Sequence, residues 1–385
     1  MTDSFKLTAW NIKHCDKLLD ELSDTDPNVK RRADIRMDAI AEEFKAIDAD
    51  ICLITEGPNG EDRATEFFER AAPGYSLIKR GSADRDDYGM KGSDAVTGRQ
   101  WIWFLLRQDL HFEAQLLHLD KWREHTELQS KGDHANGRWN VSYPKFKSGS
   151  GGNDTSLLEF SIPERAYHWR HPQVLQLQSG DAFFEIVGCH LKSKINRTRI
   201  NGNPTDEDFF ENNKKLVAEL IKARVRITTE CQDIRHYINH RFEQDSDAAI
   251  IVCGDFNDGP GKERIERRFL YHDLIGTLQG DVFLARRFLN HALFDFEESE
   301  RWSVYFKDKL EPGRNPKILL DHILFSQSMT GSHTGDKFAF KARSRSGLVE
   351  HQIHHAVTST RPKYAETSDH LPVSMHFDRR EHAHS

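Results

Sequence analysis

Short apolar, β-prone runs that end on an Asp, Asn, Glu or His recur along the whole chain. Leu7 to Trp10 runs into Asn11, Ile51 to Thr55 into Glu56, Phe183 to Cys189 into His190, and Ile250 to Cys253 into Gly254-Asp255-Phe256-Asn257-Asp258. Leu320-Asp321-His322 stands inside another such run, and Ser368-Asp369-His370 opens the strand Leu371-Pro372-Val373. One fragment of this kind is weak, because short strings of Asp and His arise by chance. Their repetition at the polar exits of core-type strands argues for a sheet-centred α/β fold with its chemistry at strand ends.

With 385 residues and 37% hydrophobic content the chain can bury a large core. No clear linker divides it, so one domain over 1–385 is expected, with insertions near 120–165 and 261–313. A formal net charge of −7 and a pI near 6.3 argue against a surface that coats polyanions in general, and leave room for a local basic groove. The five cysteines follow no paired metal spacing and read as small buried hydrophobes, with Cys52, Cys189 and Cys253 inside the strands. The start has no basic segment followed by an apolar stretch, and no run is long enough to span a membrane, so a cytoplasmic location is expected.

Helical spacing of Met37, Ile40, Ala41 and Phe44 predicts a helix over 29–47, and a second, longer one is predicted over 212–242 from the stripes Leu216, Leu220, Ile221 and Ile234, Tyr237, Ile238. Strands are predicted at 5–12, 51–55, 100–107, 248–253, 318–325 and 371–377, with a hairpin of 174–177 and 182–189 across Ser179-Gly180. Between Asp120 and Arg165 the pattern loosens, and 147–153 is the most loop-like stretch.

Asp255 and Asn257 follow a buried run, and alternation would point both to one face. A carboxylate there suits a hard divalent cation, and an Asn amide donates to a phosphate oxygen without titrating. The same pair also reads as an Asx-turn closing the strand before Gly259-Pro260. Asp369 and His370 read either as a metal ligand beside a base or as a cap followed by a satisfied histidine. Asp321 sits in so apolar a run that its charge needs a partner. Its neighbour His322 would face the opposite side of the strand, so the distant His370 is the preferred partner, with Asp321 fixing its tautomer. His190, with Lys192 two residues on, would place two donors beside one phosphate. Asn11 and Glu56 suit a metal pocket, or equally a turn former and a solvent-facing carboxylate.

In this order and over nearly the whole chain, the fragments resemble the motifs of the endonuclease/exonuclease/phosphatase superfamily, the deoxyribonuclease I-like proteins. The resemblance implies a four-layered α/β sandwich, two facing, mostly antiparallel sheets flanked by helices, with the site at one edge of the sheets. It implies Asn11 and Glu56 at the first metal positions, His190 as the phosphate-binding or leaving-group histidine, and Asp255 and Asn257 as the central Asp-x-Asn pair. Asp321 would orient the final histidine, Asp369 would serve the metal or the phosphate, and His370 would be the general base. Thr55-Glu56-Gly57 stands where the family often has Gln-Glu, and Gln100 where nuclease-like members carry Glu, which leaves Arg99 and Gln100 as phosphate contacts. Arg170-His171-Pro172 resembles the start of a core strand in the same group, and the Trp-Cys-Asp-Arg string of inositol-type phosphatases is absent.

The expectation is therefore a Mg²⁺- or Mn²⁺-dependent phosphodiesterase, and among these a nuclease acting on DNA or RNA. Glu56 would hold the metal with Asn11, Asp255 or Asp369, and Asn257, His190, Lys192 and Arg99 would contact substrate. The nuclease assignment leans on His190-Leu191-Lys192-Ser193-Lys194, similar to bacterial nuclease-like members, and on a phosphate track of Lys192, Lys194, Arg197 and Arg199, a charge run that also reads as a solvated loop. A phosphatase or lipid phosphodiesterase is the alternative enzyme. A non-catalytic binding module is disfavoured, because no acidic or histidine position of the pattern is lost.

Overall fold

The computed structural model describes residues 2–81, 88, 99–125, 139–141, 144–147, 157–160, 164–166, 168–194, 198–269, 273–331 and 340–380. The strands of its two large sheets are β1 (Ser4–Asn11), β2 (Ile51–Gly57), β3 (Tyr75–Ile78), β4 (Trp101–Arg107), β5 (Glu113–Leu116), β6 (Gln173–Ser179), β7 (Ala182–His190), β8 (Ile250–Asp255), β9 (Leu289–His291), β10 (Asp321–Ser326), β11 (Phe340–Ala342), β12 (Leu348–Val349) and β13 (Val373–Arg379). The first sheet has seven strands in the order β11-β13-β1-β2-β4-β3, with β12 also on β13, and the second has six in the order β9-β10-β8-β7-β6-β5. Two pairs are parallel, β1 with β2 and β7 with β8.

Alternation along the strands explains why their sequences read as continuous apolar runs. Phe5, Leu7, Ile51, Leu53 and Phe104 of the first sheet meet Phe184, Ile186, Ile251 and Cys253 of the second in a shared inner core. The intervening residues Cys52, Ile54, Trp103 and Leu105 face outward onto Met37, Ile40, Phe44 and Phe67, which lie on the helices Pro27–Ile47 and Glu61–Ala71. On the far side Val187, Ile250, Val252 and Leu324 pack on Ile227, Ile234, Tyr237 and Ile238 of the helix Lys214–Gln244. Each sheet is buried on both faces, so apolar residues occupy both parities. Helix, sheet, sheet, helix is the four-layered sandwich expected. No described helix is long and apolar enough to cross a membrane. All five cysteines are buried and free.

The run 318–325, expected as one strand, is divided. Lys317–Ile318 pairs with Val304–Tyr305 in a small hairpin, and β10 begins only at Asp321. The Ser303 hydroxyl causes the break, accepting from Leu320 N at 3.1 Å and Asp321 N at 3.2 Å. The segment 261–313, expected as an insertion, supplies β9 to the edge of the second sheet. Within 120–165, Trp139–Val141 pairs with Glu164–Ala166 and Pro144–Lys147 with Leu157–Phe160, and these strands join neither large sheet. The Gly/Ser stretch from 148 lies outside the described residues.

Candidate active site

Strand register gathers the polar exits at one rim. In the second sheet His190 is level with Asp255, and Asp255 with Asp321. In the first, Asn11 is level with Thr55, one residue before Glu56, and the antiparallel pairing of Ala9 with Val373 brings the segment before β13 to the same end. The two sheets are joined there by Asn11 Nδ2, which donates to Asp255 Oδ2 at 2.9 Å. Gly254 allows this packing. Its φ is +127°, and a Cβ on it would lie 2.0 Å from the Cys189 carbonyl oxygen on the neighbouring strand. Any side chain would force apart the ends that carry His190 and Asp255.

Asp321 finds the partner expected of it. His370 Nδ1 lies 2.8 Å from Asp321 Oδ2, with the carboxylate side chain 1% exposed and the imidazole 12%. Burial alone disfavours the imidazolium of His370, but the carboxylates of Asp321 and Asp255 overcome it and push the pKa up to about 10. Burial drives Asp255 upward, with His370 opposing. Donor atoms of Asp255, Asp321 and His370 all lie within 4.8 Å of one another. His322, by contrast, faces away from the rim and bonds through Nε2 to the Asp258 carbonyl at 2.8 Å.

Of the two readings of the Asp255 and Asn257 spacing, the structure follows the turn. Asn257 N donates to Asp255 Oδ1 at 2.8 Å, which is the Asx-turn. The shared face does not hold, because β8 ends at Asp255 and Asn257 adopts φ 50°. Its Nδ2 donates to the Leu191 carbonyl at 2.9 Å, tying the loop after β8 to the end of β7. His190 is 5% exposed, with Nε2 3.4 Å from Asp255 Oδ2. Burial and the nearby Arg170 hold His190 well below the usual histidine range. It is therefore a neutral hydrogen-bonding group and not a strong acid.

Glu56 ends its strand at φ 58° and accepts from His14 N at 2.9 Å, with His14 Nδ1 3.2 Å away. Its burial favours protonation, yet the hydrogen bonds from His14 outweigh it and keep the carboxyl ionised far below its ordinary range. Asn11 Oδ1 and Asp321 Oδ1 are buried without a hydrogen-bond partner among the described residues. An ionised carboxylate and an unpaired amide oxygen at the ends of two paired strands are donor types that suit a hard divalent cation. Asp369 points elsewhere, with its carboxylate 2.8 Å from Lys13 Nζ and both side chains 45% exposed.

Three further residues hold the rim together, and the motif reading did not single them out for it. Arg170 Nη2 donates to Gln100 Oε1, its Nε is buried without a partner among the described residues, and burial lowers its pKa although the carboxylates of Glu56, Asp255 and Glu230 favour its charge. The Arg-x-Pro string was the available signal. Arg36, on the helix Pro27–Ile47, donates to the carbonyls of Lys13, Glu366 and Thr367 and so clamps the loop after Asn11 to the loop before His370. Ser368 Oγ donates to the Asn11 carbonyl at 2.6 Å and accepts from His370 N at 3.1 Å. His14, Glu56, Gln100 and Asn257 all have positive φ, a concentration of backbone strain common where a site must be pre-set.

The expected phosphate track is only partly present. Lys194 lies in a buried charge cluster instead, bonding Asp258 and, through Nζ, Glu266 Oε1 at 2.9 Å and Glu263 Oε1 at 3.3 Å. Arg224 shares Glu263 and Glu266 from the long helix. A Lys on a loop looks the same in sequence whether it meets solvent or three carboxylates. Lys192 N donates to Glu230 Oε2 at 2.7 Å and its Nζ to the Ser193 carbonyl at 3.1 Å. Arg99 and Arg199 are exposed, and Arg197 lies outside the described residues. Lys194→Ala should therefore cost about 3 kcal/mol or more in urea unfolding, the scale for removing one partner of a buried ionic cluster. The apparent Michaelis constant should stay within about twofold. A raised Michaelis constant at unchanged stability would return Lys194 to the substrate track.

This sandwich, two large sheets flanked by helices with acidic and histidine side chains at one rim, has the architecture that the motif resemblance implied. Among solved structures, truncated TDP2 from Caenorhabditis elegans aligns with 97% of this chain and 98% of its own, at 14% identity and TM-score 0.45. The human Nocturnin catalytic domain aligns over 98% and 94%, at 16% identity and TM-score 0.47. An endonuclease/exonuclease/phosphatase from Bacteroides vulgatus aligns over 98% and 100%, at 12% identity and TM-score 0.46. No family model matches the sequence, and no curated protein matches it.

Proposed function

We propose that the chain is a divalent-metal-dependent phosphodiesterase, and within that class a nuclease. The observation that carries this reading is the His370–Asp321 pair at 2.8 Å, placed where Asn11 joins the two sheets at Asp255. His370 Nδ1 is committed to Asp321, which leaves Nε2 to take a proton from water attacking phosphorus in line. Arg170 and the second amide hydrogen of Asn257 steady the nonbridging oxygens, and neutral His190 donates to the phosphate. Lys192 and Arg99 meet the chain beyond it. Glu56 and Asn11 would hold Mg²⁺ or Mn²⁺, with Asp255 adjoining. When bound, the cation polarises the phosphoryl oxygens and offsets the negative charge that otherwise keeps His370 protonated.

The nuclease reading over a lipid or inositol phosphoesterase rests on His190 and Lys192 and on the exposed Arg99 and Arg199. Purified protein incubated with plasmid DNA, single-stranded DNA, RNA, inositol phosphates and sphingomyelin, with and without Mn²⁺, tests it. Cation-dependent cleavage of nucleic acid is expected. Turnover of sphingomyelin or inositol phosphates alone would replace the nuclease reading with the alternative enzyme, and no turnover of any substrate would favour a binding module.

A further inference from the structure

The small hairpin Val304–Tyr305 with Lys317–Ile318 is joined to both members of the His370–Asp321 pair. Val304 forms an antiparallel bridge with His370, Leu371 N donates to the Ser303 carbonyl at 2.8 Å, and Ser303 Oγ accepts from Asp321 N at 3.2 Å. Beyond this anchored base the hairpin turns apolar toward solvent, with Tyr305 57% and Phe306 40% exposed while Val304 is only 6% exposed. Phe306 continues the ladder, its N donating to the Pro316 carbonyl at 2.7 Å.

Alternation distinguishes the two aromatics. Bridged partners in an antiparallel ribbon put their side chains on the same side, so Val304 shares a side with His370, and Phe306 returns to that side two residues on. Tyr305 faces the reverse side with its register partner Lys317. Bridge spacing and strand rise together put the Phe306 and His370 backbones about 8 Å apart. Lys307 and Lys309 follow at once, both exposed and without an ion pair among the described residues. An exposed ring beside a general base, followed by unpaired cations, is the composition of a stacking platform for a strand of nucleotides: every base offers a π-face to the ring and every phosphate a charge to the lysines.

We propose that Phe306 stacks on an unpaired nucleobase next to the scissile phosphate, that Lys307 and Lys309 take the following phosphates, and that the substrate is therefore single-stranded nucleic acid. This rests on the nuclease reading and narrows it. The test compares a single-stranded thymidine octamer with an octamer of tetrahydrofuran abasic residues on the same backbone, using wild type, Phe306→Ala, Tyr305→Ala and Lys307→Ala/Lys309→Ala.

Phe306→Ala should raise the Michaelis constant for the thymidine octamer roughly 5- to 100-fold, the range for losing one stacked base, and leave the abasic octamer within about twofold. Tyr305→Ala should change neither. The lysine variant should weaken both octamers and flatten their salt dependence. Equal loss on both octamers in Phe306→Ala, no loss on either, or the same effect from Tyr305→Ala would overturn the platform. Wild type that cuts duplex plasmid and neither octamer would overturn the single-stranded substrate and keep the nuclease. Wild type that cuts no nucleic acid yet hydrolyses a small phosphoester would overturn the nuclease reading itself.

Discussion

His370→Ala is expected to slow turnover by roughly 10²- to 10⁴-fold, the range for removing a general base, with substrate affinity changing much less. Asp321→Asn should also be slow, because Asp321 Oδ2 accepts the Nδ1 proton of His370 at 2.8 Å and so fixes which nitrogen faces water. The double variant should be scarcely slower than His370→Ala, since an orienting acid has nothing to orient once its histidine is gone. Turnover rates of all four proteins, measured at saturating metal, decide the point. Strictly multiplicative losses would mean that Asp321 acts on its own, at the metal or in the structure.

Excess chelator should abolish turnover, and restored Mn²⁺ should bring it back. Glu56→Gln should weaken Mn²⁺ binding at least about tenfold, measured by titration calorimetry, because it removes the charge that His14 keeps ionised at the rim. Mn²⁺ at about a hundred times its dissociation constant should stabilise the wild-type fold by roughly 2.7 kcal/mol through linkage, and the variant much less at the same concentration. Since Asp255, Asp321 and His370 also offer converging donor atoms, the comparison with Asp321→Asn is informative. If that variant loses the cation and Glu56→Gln keeps it, the ion sits on the histidine pair and the division of labour proposed here is wrong. Full activity in chelator would remove the metal from the mechanism altogether.

The strand ends were readable because burial and polarity change abruptly there. Asn11, Glu56, His190 and Asp255 each end a run of apolar residues, and each stands at the rim. Alternation excluded the neighbour His322 as the partner of Asp321, and His322 indeed faces Asp258 on the other side; the choice of His370 came with the motif resemblance. The fate of Lys194 was not readable, because its carboxylate partners come from positions 258, 263 and 266, and only folding brings them to it. Asp369, adjacent to the base in sequence, is drawn to Lys13 instead. Arg36 was out of reach for a further reason: it bonds backbone carbonyls, which carry no residue signature.

What the sequence by itself determined is the long central strands of the two sheets, their burial on both faces and the chemical types at their ends, since hydrophobic run length and a polar terminus are local properties; the short edge strands Tyr75–Ile78, Glu113–Leu116, Leu289–His291 and Phe340–Ala342 carry no such run. Register and contact were decided by tertiary structure. The level placing of His190, Asp255 and Asp321, the bond from Asn11 across the sheets and the side on which Phe306 emerges all depend on how strands far apart in the chain align. A one-residue slip in any of them would send the same side chains to the opposite face.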